Sequence, residues 1–242
     1  MSRVDAWAGV ALPVVVLALL GAAARGAPPE HARVTREGGT VFLAERLMQR
    51  AYTWIDALAA ACVRLGLRAD TVTWFSLLAG LVAGLLAARG WLGAAAWALA
   101  LSGLCDGLDG AIARRTHTAS AAGAVLDSAL DRYVEFFFCA GLLVHFAGHT
   151  AWQLLVVVTL FGGFMVTYST AKAEALAIKP PRGWMKRPER LVWFAGGATL
   201  AAAGRLVGWP AHYAMLAALT VIAVFAHLSA VLRLRALVAA TR

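Results

Sequence analysis

Apolar residues fall along this chain in runs too long for the core elements of a water-soluble domain, and polar residues gather in short clusters between them. A helix that crosses the hydrocarbon of a bilayer needs about 20 mostly apolar residues. Seven stretches answer to that: 7–24, 71–88, 91–113, 123–147, 150–176, 191–207 and 211–234. Over 41–65 the pattern changes. Ala44, Leu47, Met48, Ala51, Ile55, Leu58, Cys62 and Leu65 recur at three and four, with Glu45, Arg46, Gln49, Arg50 and Asp56 on the other face. That is the pattern of a helix lying in the membrane interface. The expected fold is therefore all-α: a polytopic membrane helix bundle of six core transmembrane helices, with an extra N-terminal transmembrane helix and an interfacial amphipathic helix.

Pro28-Pro29 and Gly38-Gly39 break the chain after the first run. Residues 1–40 thus read as an N-terminal transmembrane anchor with its linker. A retained anchor is favoured over a cleaved signal peptide because Asp5 offsets Arg3. Residues 41–242 read as one membrane domain, with the interfacial helix at 41–65 and six spans within 71–238.

Composition agrees: 61% of the 242 residues are hydrophobic and 14% charged, against roughly half and a quarter in soluble domains; the mean hydropathy is +0.73. A net charge of +9 raises the question of nucleic acid, but no segment here folds as a solvated basic domain, so no nucleic-acid partner is expected. Alternating spans place most of the basic residues on one side, leaving Arg3, Arg89 and Arg205 opposite. The positive-inside rule then puts the basic side in the cytoplasm and the amino terminus outside, as expected of an inner-membrane protein. Cys62, Cys105 and Cys139 lack the spacing of a zinc site or a disulfide framework and read as core residues.

Apart from Glu174 at the very end of the 150–176 run, five of the thirteen acidic residues lie inside apolar runs: Asp106, Asp109, Asp127, Asp131 and Glu135. A carboxylate at membrane depth costs several kcal/mol, so each should face a cavity or a partner. Asp106 and Asp109 are three apart on one helix, and Asp127 and Asp131 are four apart on the next, so each pair shares a face and both can point into one gap. Divalent cations resolve the resulting repulsion, since an all-oxygen set suits Mg²⁺ or Mn²⁺ together with substrate phosphate oxygens. Two ions would neutralise four charges. Small residues surround the acids, including Gly107, Gly110, Ala113 and Gly123, and Arg114 stands one turn past Gly110, suited to a diphosphate. The residues alone thus describe a metal-diphosphate site at the cytoplasmic end of two spans. A transporter, or a non-catalytic membrane protein that binds lipid, is the competing class; clustering of the acids at one end of two adjacent spans speaks against the first and their completeness against the second.

Asp106, Asp109, Gly110, Ala113, Arg114, Gly123, Asp127 and Asp131, eight fixed positions over 26 residues, resemble the signature of the CDP-alcohol phosphotransferases. The resemblance implies a transferase of phospholipid biosynthesis that moves a phosphatidyl-type group from CDP-diacylglycerol to a polar alcohol with release of CMP. It implies two divalent ions, Mg²⁺ or Mn²⁺, held by Asp106, Asp109, Asp127 and Asp131, with Asp131 also the general base, and a homodimer. Gly110, Arg114 and Ser120, and with them Ala113 and Gly123 of the signature, fall where the family contacts the CDP-lipid. Asp70 and Thr73 resemble its second cytidine-side contact, although Ala69 stands where many relatives have proline. Within the family, Thr167, Lys172, Arg190 and Arg233 resemble the acceptor side of the phosphatidylinositol-phosphate synthase branch. That makes inositol phosphate the leading acceptor, ahead of glycerol phosphate, serine or inositol. One departure stands out: Thr170 occupies the place of that branch's phosphate-binding lysine, and Lys172 lies about 200° around the helix from it. Glu135 continues the stripe of Asp127 and Asp131 one turn deeper, where it is paired, protonated or lining the acceptor cavity.

Overall fold

The computed structural model describes residues 3–23, 45–178 and 183–241, and among them every regular element is helical. In chain order these are α1 (Arg3–Ala23), α2 (Glu45–Arg64), α3 (Ala69–Ala88), α4 (Leu92–Arg115), α5 (Ala121–His145), α6 (Thr150–Ala175), α7 (Arg187–Gly204), a 3₁₀ turn (Arg205–Val207) and α8 (Ala211–Ala240). The linker expected before residue 41 lies outside the described residues. Each expected span has its helix. Three of them, α3, α6 and most of α8, are long and apolar enough to cross a membrane on composition alone. Apolar side chains such as Trp74, Phe75, Leu78, Leu154 and Val158 cover the outside of the bundle, as a lipid-facing surface requires.

Two boundaries differ from expectation in ways that matter for the site. α7 begins at Arg187, four residues before the apolar run, because Glu189 reaches back to accept the backbone N–H of Lys186 at 3.0 Å. Pro188 is harmless in that first turn, where its missing N–H has no intrahelical partner. α8 runs on to Ala240, six residues past the expected end, so Arg233 lies well inside a helix instead of at its last turn, 4% exposed.

Hydrophobicity does not drive helix association inside lipid, so close backbone approach takes its place. α3 and α5 cross glycine on glycine: a Cβ on Gly141 would strike the Gly84 carbonyl, and one on Gly84 would strike that of Phe137. α3 is tied to α4 by a reciprocal pair in which Ser76 Oγ donates to the Ser102 carbonyl and Ser102 Oγ to that of Ser76, both at 2.9 Å. The amphipathic α2 lays Ile55, Ala59, Cys62 and Val63 against Cys105, Leu108, Ala111 and Ile112 of α4. The face turned to α4 includes Ile55 and Cys62 of the expected apolar stripe. All three cysteines are free, and two are buried.

α1 is docked rather than loosely tethered. Asp5, 4% exposed, accepts the Ala94 N–H in the first turn of α4 at 2.9 Å and faces Arg205 at 3.4 Å, while Trp97 Nε1 donates to the Ala8 carbonyl at 2.8 Å. The starts of α1 and α4 and the end of α7 therefore share one end of the bundle. The aspartates sit toward the other: Asp106 is about 18 Å further along α4 than Ala94, at 1.5 Å per residue.

Replacing Gly141 with leucine should overpack the α3–α5 crossing and cost on the order of 1–3 kcal/mol or more. A lowered midpoint of thermal unfolding in detergent checks this, with Gly196→Leu, whose added Cβ meets nothing within 4 Å, as the control.

Candidate active site

α4 and α5 run antiparallel through a short turn at 116–120, closed where Thr118 N–H returns to the Ala113 carbonyl at 2.9 Å. Ser120 caps α5, its hydroxyl accepting the Gly123 N–H at 3.1 Å. α4 and α5 each pack on α3, and the turn leaves a gap between the last turns of α4 and the first turns of α5. Across it Asp106, Asp127 and Asp131 meet, each half-buried, with one carboxylate oxygen from each lying within 4.8 Å of the others. Asp109, on the wall of the same cavity as Asp127, is held from α3. Its Oδ2 accepts Thr73 Oγ1 of α3 at 2.7 Å and its Oδ1 the Gly110 N–H at 2.5 Å.

α7 contributes a cation to the same cluster. Arg187 Nη1 lies 2.5 Å from Asp106 Oδ2 and Nη2 lies 2.6 Å from Asp131 Oδ1. The guanidinium thus spans α4 and α5 from the first residue of α7. Nη2 makes that ion pair without the alignment of a hydrogen bond, and Nε has no partner among the described residues. The donor set suits a divalent cation: three hard oxygens at bridging distance, in surroundings that already draw a positive group between them.

Beside the cluster opens a cavity of about 570 Å³, within the range of small-ligand sites. Asp127 belongs to both. Asp70, Thr73, Asp109, Gly110, Ala113, Arg114, Ser120 and Gly123 also line it, so every residue expected on the CDP-lipid side borders one space. Gly110 leaves room there for the Arg114 guanidinium, since a Cβ would come within 3.2 Å of Nη1.

The residues expected on the acceptor side are more scattered. Arg190, 2% exposed, directs Nε and Nη2 at Glu135 Oε1, at 3.1 and 2.6 Å, and Nη1 at the Met185 carbonyl at 2.6 Å. Glu135 is therefore paired. Arg233 donates from Nη1 to Thr170 Oγ1 at 2.8 Å, and its Nε and the nearby Ser229 hydroxyl are buried without partners among the described residues. Thr167 bonds the Gly163 carbonyl of its own helix at 3.1 Å, and Lys172 is exposed in the last turn of α6. Arg187 is the participant that sequence reasoning did not assign to the aspartates. Lys186 and Arg187 stand just before the apolar run that opens at residue 191, so hydropathy alone leaves them outside the helix. The capping pattern of Lys186 to Glu189, with proline in the first turn, was the signal that extends the helix.

Fold and site together define an integral membrane enzyme of the group-transferring kind, whose acids and cavity suit a metal-bound nucleotide diphosphate. The family model described as CDP-alcohol phosphatidyltransferase matches residues 67–239, and the chain belongs to that family. It is 36% identical over 167 residues to the phosphatidylinositol phosphate synthase of Mycobacteroides abscessus, an alignment covering 66% of this chain and 74% of that one. It is 35% identical over 182 residues to the archaetidylinositol phosphate synthase of Methanothermobacter thermautotrophicus, covering 75% and 87%. Among solved structures, the Mycobacterium tuberculosis phosphatidylinositol phosphate synthase with CDP-DAG bound superposes with a TM-score of 0.67 at 31% identity, over 75% of this chain and 92% of that one. The same synthase in complex with manganese and citrate gives 0.68 at 31% identity, over 75% and 87%. The chain is accordingly a CDP-alcohol phosphotransferase that passes a phosphatidyl-type group to an alcohol. Both α1 and α2 precede the matched region.

Thr73→Val keeps the shape of the side chain but removes the hydrogen bond to Asp109, a contact to a charged group worth about 1.5–3 kcal/mol. kcat/KM for the CDP-lipid should fall about tenfold or more, and Thr73→Ser should retain most of it. Steady-state kinetics in mixed micelles measure both.

Proposed function

We propose that this enzyme transfers the phosphatidyl group of CDP-diacylglycerol to a hydroxyl of inositol phosphate, releasing CMP at the cytoplasmic face of the inner membrane. The observation that carries the reading is the meeting of Asp106, Asp127 and Asp131 at the edge of the cavity that Asp127 shares with Thr73, Asp109, Gly110 and Arg114. The synthases of inositol-phosphate lipids among its relatives support the acceptor, as do Arg190 and Arg233, two buried arginines on α7 and α8.

In this reading Asp106, Asp109, Asp127 and Asp131 hold two divalent ions, Mg²⁺ or Mn²⁺. When bound, these supply positive charge that orients the diphosphate and stabilises the negative charge developing on the departing CMP. The chain's own residues do the rest. Arg114 and the glycine backbone at Gly110 and Gly123 seat the diphosphate, with Ala113 keeping that wall low, while Asp70, Thr73 and Ser120 border the nucleoside side. Arg233, with Thr167, Lys172 and Arg190 on the surrounding helices, orients the acceptor phosphate. Asp131 takes the proton of the acceptor hydroxyl. The acceptor oxygen forms its bond to the lipid-side phosphorus as the bond from that phosphorus to the bridging oxygen breaks, and the electron pair leaves with CMP.

The remaining proposals concern organisation. The chain has seven spans and one interfacial helix, its amino terminus lies outside, and residues 41–242 act as a single catalytic domain in a homodimer. Supporting the orientation, the aspartates and the Asp5–Arg205 contact lie toward opposite ends of the bundle, and Arg114, Arg115, Lys172 and Arg187 lie toward the aspartate end.

Purified protein supplied with Mn²⁺, CDP-diacylglycerol and one acceptor at a time should release CMP fastest with inositol phosphate, and more slowly or not at all with inositol, glycerol phosphate or serine. Asp131→Asn should lower turnover by about 10²-fold or more while CDP-diacylglycerol binding persists. Preference for another acceptor would overturn the substrate, and undiminished turnover by Asp131→Asn would overturn the base.

A further inference from the structure

Arg187 touches acids on two helices other than its own: Asp106 of α4 at 2.5 Å and Asp131 of α5 at 2.6 Å. Both belong to the three carboxylates whose oxygens gather within 4.8 Å. We propose that Arg187 is an internal counter-cation that stands in the metal seat until divalent ions load and is displaced as they bind. It thereby lowers the enzyme's affinity for metal and holds α4, α5 and α7 together before metal arrives. The proposal rests on the reading of these aspartates as metal ligands.

Electrostatics makes such a residue necessary. Three carboxylates converging in a half-buried gap repel, and one guanidinium removes part of that repulsion. It leaves the three acids with a formal excess of two negative charges, so the cluster still attracts a divalent ion. Geometry makes the residue displaceable. The pair with Asp131 lacks hydrogen-bond alignment and is chiefly Coulombic, and Nε is unpartnered among the described residues, which leaves Nη1 on Asp106 as the one aligned contact. An ion drawing oxygens of Asp106 and Asp131 to about 2.1 Å competes for the same groups.

The position of Arg187 in its helix points the same way. As the first residue of α7, after the cap at Lys186, it sits at the positive end of the helix dipole, where a cation is disfavoured. Its stabilisation therefore comes from the aspartates and not from α7. The neighbouring Arg190 is held differently, with three hydrogen bonds to Glu135 and the Met185 carbonyl. One arginine is locked to Glu135 and the backbone; the other is held by groups that an ion also seeks.

Mn²⁺ binding to the full-length protein in detergent, without substrate, tests the idea by electron paramagnetic resonance of free Mn²⁺. Arg187→Gln should bind Mn²⁺ about tenfold more tightly than wild type, and Arg187→Lys, which keeps a charge but loses the two-pronged reach, several-fold more tightly. In EDTA, Arg187→Gln should melt below wild type, and saturating Mn²⁺ should close that gap. Equal or weaker Mn²⁺ binding by both variants overturns the proposal alone. Absence of Mn²⁺ binding in all three proteins overturns the metal seat and this proposal with it.

Discussion

Carboxylates inside a bilayer-spanning bundle must be compensated, and the arrangement of α3, α4, α5 and α7 follows from that demand. An uncompensated charge at this depth costs several kcal/mol, while Asp106, Asp109, Asp127, Asp131 and Glu135 all lie within 30 residues of one another. Each has an answer in the structure. Asp109 has Thr73 and the Gly110 amide, Glu135 has Arg190, and Asp106 and Asp131 have Arg187. Asp127 stands against the other two members of the triad and opens on the cavity.

The helix crossings serve these pairings. Gly84 against Gly141 lets α5 lie close on α3, and the Ser76–Ser102 pair fixes α3 against α4. Together they set the rotation of α5 that faces Asp127 and Asp131 toward Asp106. At the far end of α4, Asp5 of α1 occupies the first-turn amide of Ala94 and meets Arg205. The extra N-terminal helix is thus packed into the same framework, although it lies outside the region matched by the family.

Much of this was legible in the chain. Apolar runs locate the helices because lipid-exposed backbone must satisfy its own hydrogen bonds, and the three- and four-residue spacings of the aspartates put them on shared faces. The sequence did not reveal that Asp109 turns toward Thr73 while the other three converge, because a shared face spans a wide arc and the choice within it depends on α3. Nor did it reveal the partners of Glu135 and Arg190, or of Thr170 and Arg233. Those pairs join helices far apart in the chain, and only packing decides them. The start of α7 differs because the apolar run opens only at residue 191, whereas a cap at Lys186 starts the helix four residues earlier.

The account turns on acids from α4 and α5 converging on divalent cations beside a nucleotide cavity. Anomalous diffraction from crystals grown with Mn²⁺ locates those ions directly. The account predicts density between α4 and α5, about 2.1 Å from carboxylate oxygens of Asp106, Asp127 and Asp131. Mn²⁺ density elsewhere, or none at this cluster in crystals that bind the ion, would contradict it.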